Sequence, residues 1–232
     1  NMAIYAIGDL HLSHGINKPM DIFGLEWAGH TEKIKKNWQQ VVSDQDLVIV
    51  AGDISWAMNL HEAADDLLWL GSLKGTKLLV KGNHDYWWSS ISQVRNQLPS
   101  SIFALQNDHF LWGDYAVCGT RGWICPGEEG FDSDHDQKIY LRELQRLRLS
   151  LESAARSPAS TLIAAIHFPP FPRRGRQSAF TDLLEEFGVT ACVFGHIHDS
   201  GRDFIFQGER NGVRYYFAAA DGISFTPLRL VE

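Results

Sequence analysis

Short apolar runs alternate with helical periodicities over the first ninety residues. The runs at 3–7, 47–51 and 77–80 predict three strands. The spacing of apolar residues between and after them predicts three helices, at 30–42, 61–70 and 89–98. In the second helix, Ala64, Leu67, Leu68 and Gly71 fall on the predicted apolar face. This strand–helix alternation predicts a largely parallel sheet with helices covering both of its faces.

The rest of the chain mixes short strands with one long helix. The strongest helical periodicity runs over 138–155, where the predicted apolar stripe is Leu141, Leu144, Leu147, Leu151 and Ala155. Further strands are predicted at 102–105, 109–111, 115–118, 161–166 and 189–194, and an antiparallel set at 203–206, 213–218 and 224–228. The glycine-rich and acidic stretch from 119 to 136 is typical of a surface loop. We find no repeat or linker and expect one domain over residues 1–232.

Chemically active side chains follow the predicted strands. These residues are Asp9, His11, Asp53, Asn83, His84, His167, His196 and His198. Open α/β sheets bind ligands at the carboxyl ends of their strands. Carboxylate and imidazole groups are ligands of Zn²⁺, Mn²⁺ and iron ions. Seven or more such groups exceed the needs of one tetrahedral ion and suit two ions that share a bridging carboxylate.

Five sequence blocks in a fixed order carry a family resemblance. They are Asp9-x-His11, Gly52-Asp53, Gly82-Asn83-His84-Asp85, the lone His167 and Gly195-His196-x-His198. In this order the chain resembles the calcineurin-like metallophosphoesterase superfamily, and within it small bacterial phosphohydrolases. The blocks extend from residue 9 to residue 198, so the resemblance covers most of the chain.

The resemblance implies a fold and a role for each matching residue. The implied fold is an α/β protein, a four-layer α/β/β/α sandwich with a dinuclear metal site at the carboxyl ends of the strands. The first ion would be held by Asp9, His11 and His198, and the second by Asn83, His167 and His196. Asp53 would bridge the two ions. His84 would donate a proton to the leaving group, with Asp85 orienting its ring.

The implied activity is hydrolysis of a phosphomonoester or phosphodiester, including nucleotide-like esters, by a hydroxide that bridges the two ions. Manganese, iron, zinc and nickel all fit such ligands. The alternative is a catalytically inactive protein of the same fold that binds a partner. Such scaffolds usually lose the proton donor or some ligands, and here every block is present. A metallohydrolase built on an H-x-H-x-D-H cluster is a third possibility, but the chain lacks that cluster.

Composition limits the binding partners and the cellular location that we expect for the protein. The net charge of −7 disfavours binding to long nucleic acids and anionic membranes, but leaves room for a small phosphorylated substrate. No apolar run reaches the roughly 18 residues of a membrane span. Asp9 interrupts the first apolar stretch, so we expect no secretory signal. Three cysteines without a C-x-x-C pair indicate a reducing, cytoplasmic location. The sequence leaves the oligomeric state open.

Several residues near the blocks have two interpretations. Arg121 either clamps a substrate phosphate or forms a surface ion pair. The arginines at 173, 174 and 176 form either an electropositive rim or a solvated basic loop. Three tryptophans either stack on a substrate or pack against the sheet, with packing favoured: Trp56, Trp87 and Trp88. His14 is expected in a loop, and the remaining histidines, His30, His61, His109 and His135, in structural or solvated positions.

Overall fold

The computed structural model describes residues 2–231, without the side chains of residues 199 and 200. Contacts along the chain divide it into two compact units. The first unit contains the residues up to Ala104 and those from Ala218 onward, and the second is Leu105–Phe217. The expectation of one domain over residues 1–232 stays a prediction.

The first unit contains a five-stranded sheet in the order β11-β1-β2-β3-β4. Its strands are β1 (Ile4–Ile7), β2 (Leu47–Ala51), β3 (Thr76–Val80), β4 (Ile102–Ala104) and β11 (Leu228–Val231). The first four are parallel, and β11 pairs antiparallel with β1. Every residue of β1 and β2 is buried, which explains why these strands are continuous apolar runs rather than alternating ones.

Three helices accompany this sheet: α1 (His30–Val41), α2 (Leu60–Gly71) and α3 (Ile91–Gln97). The Asn59 side chain accepts a hydrogen bond from the backbone N–H of Glu62 and so caps α2. The buried face of α2 is Ala63, Asp66, Leu67 and Leu70. The predicted stripe was therefore partly wrong, since Leu68 is exposed. Asp66 lies on the buried face because its carboxylate binds Ser55 and His14.

The second unit contains a six-stranded sheet in the order β5-β6-β7-β8-β10-β9. The strands are β5 (Phe110–Trp112), β6 (Tyr115–Thr120), β7 (Thr161–Ile166), β8 (Ala191–Phe194), β9 (Gly208–Arg210) and β10 (Val213–Phe217). The four central strands are parallel, and β5 and β9 add antiparallel edges. Its helices are α4 (Ser133–Ala155) and α5 (Ala179–Glu186), and a capping box of Ser178 and Thr181 begins α5.

The mixed α/β fold with two sheets, which the family resemblance implies, is confirmed, and both sheets are largely parallel. The predicted antiparallel set was wrong, because β10 pairs parallel with β8 and β11 belongs to the other sheet. A 3-10 helix, Asp199–Phe204, covers part of the predicted strand at 203–206. A second 3-10 helix, Ala220–Ile223, precedes the region predicted as the last strand.

Helix α4 differs from the predicted long helix in its first residue and in which residues form its buried face. It begins at Ser133 because the Asp132 side chain accepts a hydrogen bond from Asp134 N–H. Leu147 and Leu151 are buried as predicted, but Leu141 is exposed and Glu143 is fully buried. Within residues 2–231, no helix combines the length and the low charge that crossing a bilayer requires.

Candidate metal centre

Two turns at the carboxyl ends of β1 and β2 hold each other in place. Asp9 N–H donates to the Gly52 carbonyl at 2.9 Å, and His11 N–H donates to the Asp53 carbonyl at 3.0 Å. Asp9, His11 and Asp53 have φ values of 56°, 45° and 50°. Left-handed backbone is unfavourable for residues other than glycine, and such strain collects at functional sites. The turns therefore fix three of the predicted ligands in unusual backbone conformations.

The three side chains also lie close together and out of solvent. Nε2 of His11 is 4.0 Å from Oδ1 of Asp9 and 3.8 Å from Oδ2 of Asp53. All three residues are at most 3% exposed. Buried carboxylates are unfavourable unless a positive charge compensates them. Two buried carboxylates and an imidazole are a donor set that fits a divalent transition-metal ion.

A third turn, after β3, brings its residues to Asp53. The backbone N–H of His84 donates to Oδ1 of Asp53 at 2.9 Å. A Cβ atom on Gly82 would lie 2.1 Å from both the backbone nitrogen and Oδ1 of Asp53. Only glycine permits that approach. Asn83 lies between these two residues in the same turn, and it is half-buried.

Asp85 connects the second and third turns. Its carboxylate accepts hydrogen bonds from the backbone N–H groups of Ile54 (2.8 Å), Ser55 (3.1 Å) and Gly82 (2.7 Å), and from Nε1 of Trp87 (2.9 Å). Burial and the charge of Asp53 raise the pKa of Asp85 to about 6. These four bonds show Asp85 as an anchor of the turns. Its predicted role in orienting the His84 ring stays a prediction.

Trp56 supports two of the predicted site residues. Its ring stacks on His11 with centroids 4.7 Å apart, and it lies 4.7 Å from the His84 ring at a tilt of 51°. Nζ of Lys18 lies 3.5 Å from the Trp56 ring centroid. Sequence reasoning favoured packing for this residue, and its position after the Gly52-Asp53 block was the only indication of more. Trp87 and Trp88 are buried, as the packing interpretation predicts.

Two histidines outside the sequence blocks have structural roles in the first unit. Nε2 of His30 donates to the carbonyl of Leu10 at 3.0 Å, between two predicted ligands. Burial lowers the pKa of His30. Nδ1 of His14 lies 2.8 Å from the buried Asp66 carboxylate. Sequence reasoning missed Asp66, although it is an acidic residue at the spacing of an apolar helix face.

The second unit places His167 and His196 side by side. His167 N–H donates to the Thr120 carbonyl at 3.3 Å, and the His167 carbonyl accepts from Gly195 N–H at 3.0 Å. The two imidazole rings have centroids 5.2 Å apart and an interplanar angle of 77°. The Phe168 ring lies against His196 with centroids 3.9 Å apart. His198 is half-buried at the start of the 3-10 helix Asp199–Phe204.

Arg121 has a buried anion as its partner. Its Nη2 lies 2.9 Å from Oε1 of Glu143, which is fully buried on α4. Thr120 donates from Oγ1 to the other oxygen of Glu143 at 2.6 Å. The guanidinium also stacks on Trp123, at 4.6 Å from the ring centroid. These contacts favour the ion-pair interpretation of Arg121, with the pair half-buried rather than on the surface. The substrate-binding role of Arg121 stays a prediction.

Two of the three arginines after β7 are paired with the acidic loop. Arg173 lies 3.8 Å from Glu128 and 3.4 Å from Glu129, and Arg176 lies 3.3 Å from Glu128. These pairs argue against an electropositive rim built from Arg173 and Arg176. They also give the loop at 119–136 a defined contact that sequence reasoning missed.

Comparison with known sequences supports the sequence blocks. The sequence model of the calcineurin-like phosphoesterase family matches residues 2–200. An uncharacterized protein of Methanocaldococcus jannaschii is 36% identical over 87 residues, which are 35% of this chain and 46% of that protein. The gene 66 protein of Mycobacterium phage D29 is 33% identical over 85 residues, 35% of this chain and 40% of that protein. The matched region thus spans less than half the length of these curated relatives.

Comparison with solved structures supports the fold. A phosphopantetheinyl hydrolase from Mycobacterium tuberculosis has a TM-score of 0.59 at 14% identity, with 98% of this chain and 95% of that chain covered. A protein of unknown function from Aquifex aeolicus has a TM-score of 0.52 at 14% identity, with 99% and 96% covered. At these identities the likeness is one of fold alone.

Proposed function

This chain belongs to the calcineurin-like phosphoesterase family, and we propose that it hydrolyses a phosphoester with two metal ions. The observation that carries the proposal is the group of Asp9, His11 and Asp53, buried on strained turns at the ends of two parallel strands. The family is metal-dependent, and this donor set fits a transition-metal ion.

The proposed ligands follow the sequence blocks. Asp9, His11 and His198 hold one ion, and Asn83, His167 and His196 hold the other. Asp53 serves both ions, because its carboxylate has two oxygens and a negative charge. A bound pair of such ions supplies an activated water for in-line attack on phosphorus. Manganese, iron, zinc and nickel all suit these ligands.

The protein's own groups position the reactants and move one proton. We assign proton donation to the leaving-group oxygen to the His84 imidazole, because histidine is the side chain that most often serves as a general acid. Two contacts support this assignment: the His84 backbone N–H donates to Asp53, and the His84 ring lies against Trp56. Asp85 keeps the turns that carry Asp53 and His84 in register through its four hydrogen bonds.

We propose a small phosphorylated substrate, either a monoester or a diester, and a cytoplasmic location. The net charge of −7 supports the first proposal by disfavouring long nucleic acids. The three unpaired and buried cysteines, Cys118, Cys125 and Cys192, support the second.

Metal analysis combined with an activity panel tests the proposal. Protein purified without chelator and supplied with Mn²⁺ is expected to contain two metal equivalents per chain. It should hydrolyse at least one class in a panel of phosphomonoesters, phosphodiesters and nucleotides. A chain that takes up no metal contradicts the proposed centre. A chain that holds two ions and hydrolyses nothing in the panel contradicts the enzyme and supports the scaffold alternative.

A further inference from the structure

A cavity in the second unit opens beside the His196 ring. It has a volume of about 200 Å³ and lies between the segment after β7, the loop at 119–136 and the 3-10 helix Asp199–Phe204. Most of its lining is apolar, from the side chains of Ile124, Phe168, Phe171, Ile197, Phe204 and Ile205. We call this cavity the aromatic pocket. His196 is the one proposed metal ligand among its lining residues, and the proposed proton transfer does not use the pocket.

The walls of the aromatic pocket are fixed by packing. Phe171 is buried and makes edge contacts with Phe194 and Tyr215, each with centroids 5.2 Å apart. Phe168 is held between His196 and Trp123. Cys125 contributes a buried thiol whose pKa is raised by burial to about 12, so it stays neutral and behaves as a small apolar group. A preformed apolar cavity of this kind is typical of a ligand site.

The arginine at the pocket is paired with acidic side chains. Arg173 lines it together with Glu128 and Glu129, and the arginine is paired with both carboxylates. The paired charges do not favour a strongly anionic group such as a polyphosphate. An uncharged apolar group, in contrast, loses unfavourable contact with water on entering.

We propose that the aromatic pocket binds the apolar organic group of the phosphoester substrate. The inference rests on the proposed function, because His196 both lines the pocket and is a proposed metal ligand. A phosphoryl group at the metal centre would therefore have its organic group next to the pocket. A cavity of about 150 Å³ lined by apolar residues binds benzene. The aromatic pocket is larger and has room for a phenyl ring or a short alkyl chain.

A series of n-alkyl phosphates from methyl to octyl tests the pocket, because the leaving-group acidity is nearly constant across the series. We expect kcat/KM to rise about fourfold for each methylene group that becomes buried, and to level off when the pocket is full. If turnover is confined to diesters, methyl n-alkyl phosphates replace the monoesters. Equal kcat/KM for methyl and hexyl esters overturns the pocket and leaves phosphoester hydrolysis intact.

Two variants test whether the preference for longer alkyl esters arises in the aromatic pocket. Ile205→Trp should fill the cavity and bring the hexyl-to-methyl ratio of kcat/KM close to one. Phe204→Ala removes an aromatic wall that is already 41% exposed, so it is expected to fold, and it should lower the ratio several-fold. Phe103→Ala, at an equally exposed phenylalanine of β4, is the matched control and should keep the wild-type ratio. A ratio that survives both pocket variants overturns the assignment.

If no ester is hydrolysed, the proposed function is contradicted, and the pocket is then tested by ligand binding alone. Hexylphosphonate and methylphosphonate are then titrated calorimetrically into the Mn²⁺-treated protein. Tighter binding of the hexyl compound by wild type, lost in Phe204→Ala and retained in Phe103→Ala, supports the pocket. Equal binding of the two compounds, or no binding of either, overturns it.

Discussion

The candidate ligands of the first unit include two buried carboxylates, whereas His196 of the second unit is an imidazole beside an aromatic ring and an apolar cavity. Asp9, His11 and Asp53 lie on strained turns that are joined by backbone hydrogen bonds and anchored by Asp85. His196 has left-handed backbone as well (φ 72°), but its ring lies against Phe168 and beside an apolar cavity. The first arrangement concentrates negative charge on a rigid frame. The second offers imidazoles next to a surface that can select an organic group.

The difference teaches that metal binding and substrate selection can depend on different kinds of contact. A change in the charged frame should remove the ions. A change in the aromatic surroundings should weaken binding or alter preference in smaller steps. The following four variants test that division, beginning with the largest expected effect.

Asp53→Asn should remove both ions and reduce hydrolysis to background, because it takes away the charge that serves both ions. The measurement is metal content after gel filtration, together with the rate on the best ester of the panel. Asp65→Asn, at an exposed position of α2, is the matched control and should keep both ions. Normal turnover with two ions in Asp53→Asn would show that the bridge is misassigned.

His84→Ala should keep its two ions and lose roughly 10²–10⁴-fold in rate on esters with poor leaving groups. Nitrophenyl esters should lose far less, since nitrophenolate departs without a proton. Rates on alkyl and nitrophenyl esters, measured beside metal content, separate the possibilities. An equal loss on both esters removes the general-acid role, and loss of one ion makes His84 a ligand instead.

Phe168→Leu should weaken metal binding about tenfold, because residues that orient a ligand affect metal affinity at this scale. The ring that lies 3.9 Å from His196 is lost, while the ligand itself remains. Titration of the metal-free protein with Mn²⁺ measures the effect. Phe180→Leu, at a fully buried phenylalanine of α5, controls for the loss of a buried ring. If both variants bind Mn²⁺ as wild type does, the contact with His196 has no positioning role.

His30→Gln should have the smallest effect, a loss of about 1 kcal/mol in the free energy of unfolding at neutral pH, from a weakened bond to Leu10. Burial lowers the pKa of His30 in the folded protein. As the pH falls below about 6.5, His30 is therefore protonated in the unfolded chain before it is protonated in the folded protein. Wild type should therefore lose stability from that pH down to the lowered pKa. Glutamine does not titrate, so urea unfolding of the variant should show a shallower pH dependence. Parallel pH profiles would contradict this role.

The sequence predicted the central strands well because each is a short apolar run that is buried on both faces. β2 and β7 match their predicted bounds, and the ligand blocks follow strands as expected. The helix faces of α2 and α4 were harder to predict, since Asp66 and Glu143 point inward where their partners are. Those partners are distant in sequence, so periodicity alone carries no information about them.

The pattern of apolar residues also could not predict which strands far apart in sequence pair with each other. The parallel register of β10 on β8 and the return of β11 to β1 depend on contacts between distant parts of the chain. In the site, the blocks identified the candidate ligands but not what supports them. Trp56 and Phe168 each lie close in sequence to a predicted ligand, yet their ring contacts appear only in three dimensions.

The return of β11 has a consequence for synthesis on the ribosome. β1 is synthesised well before β11, yet among the described residues Leu228–Val231 form the strand that pairs with its outer edge. Until those residues leave the ribosome, the nascent first unit carries an open strand edge beside a buried apolar strand, a combination that favours aggregation. The second unit, in contrast, is one continuous segment. Its six strands are all available before the earlier part of the chain can complete its sheet.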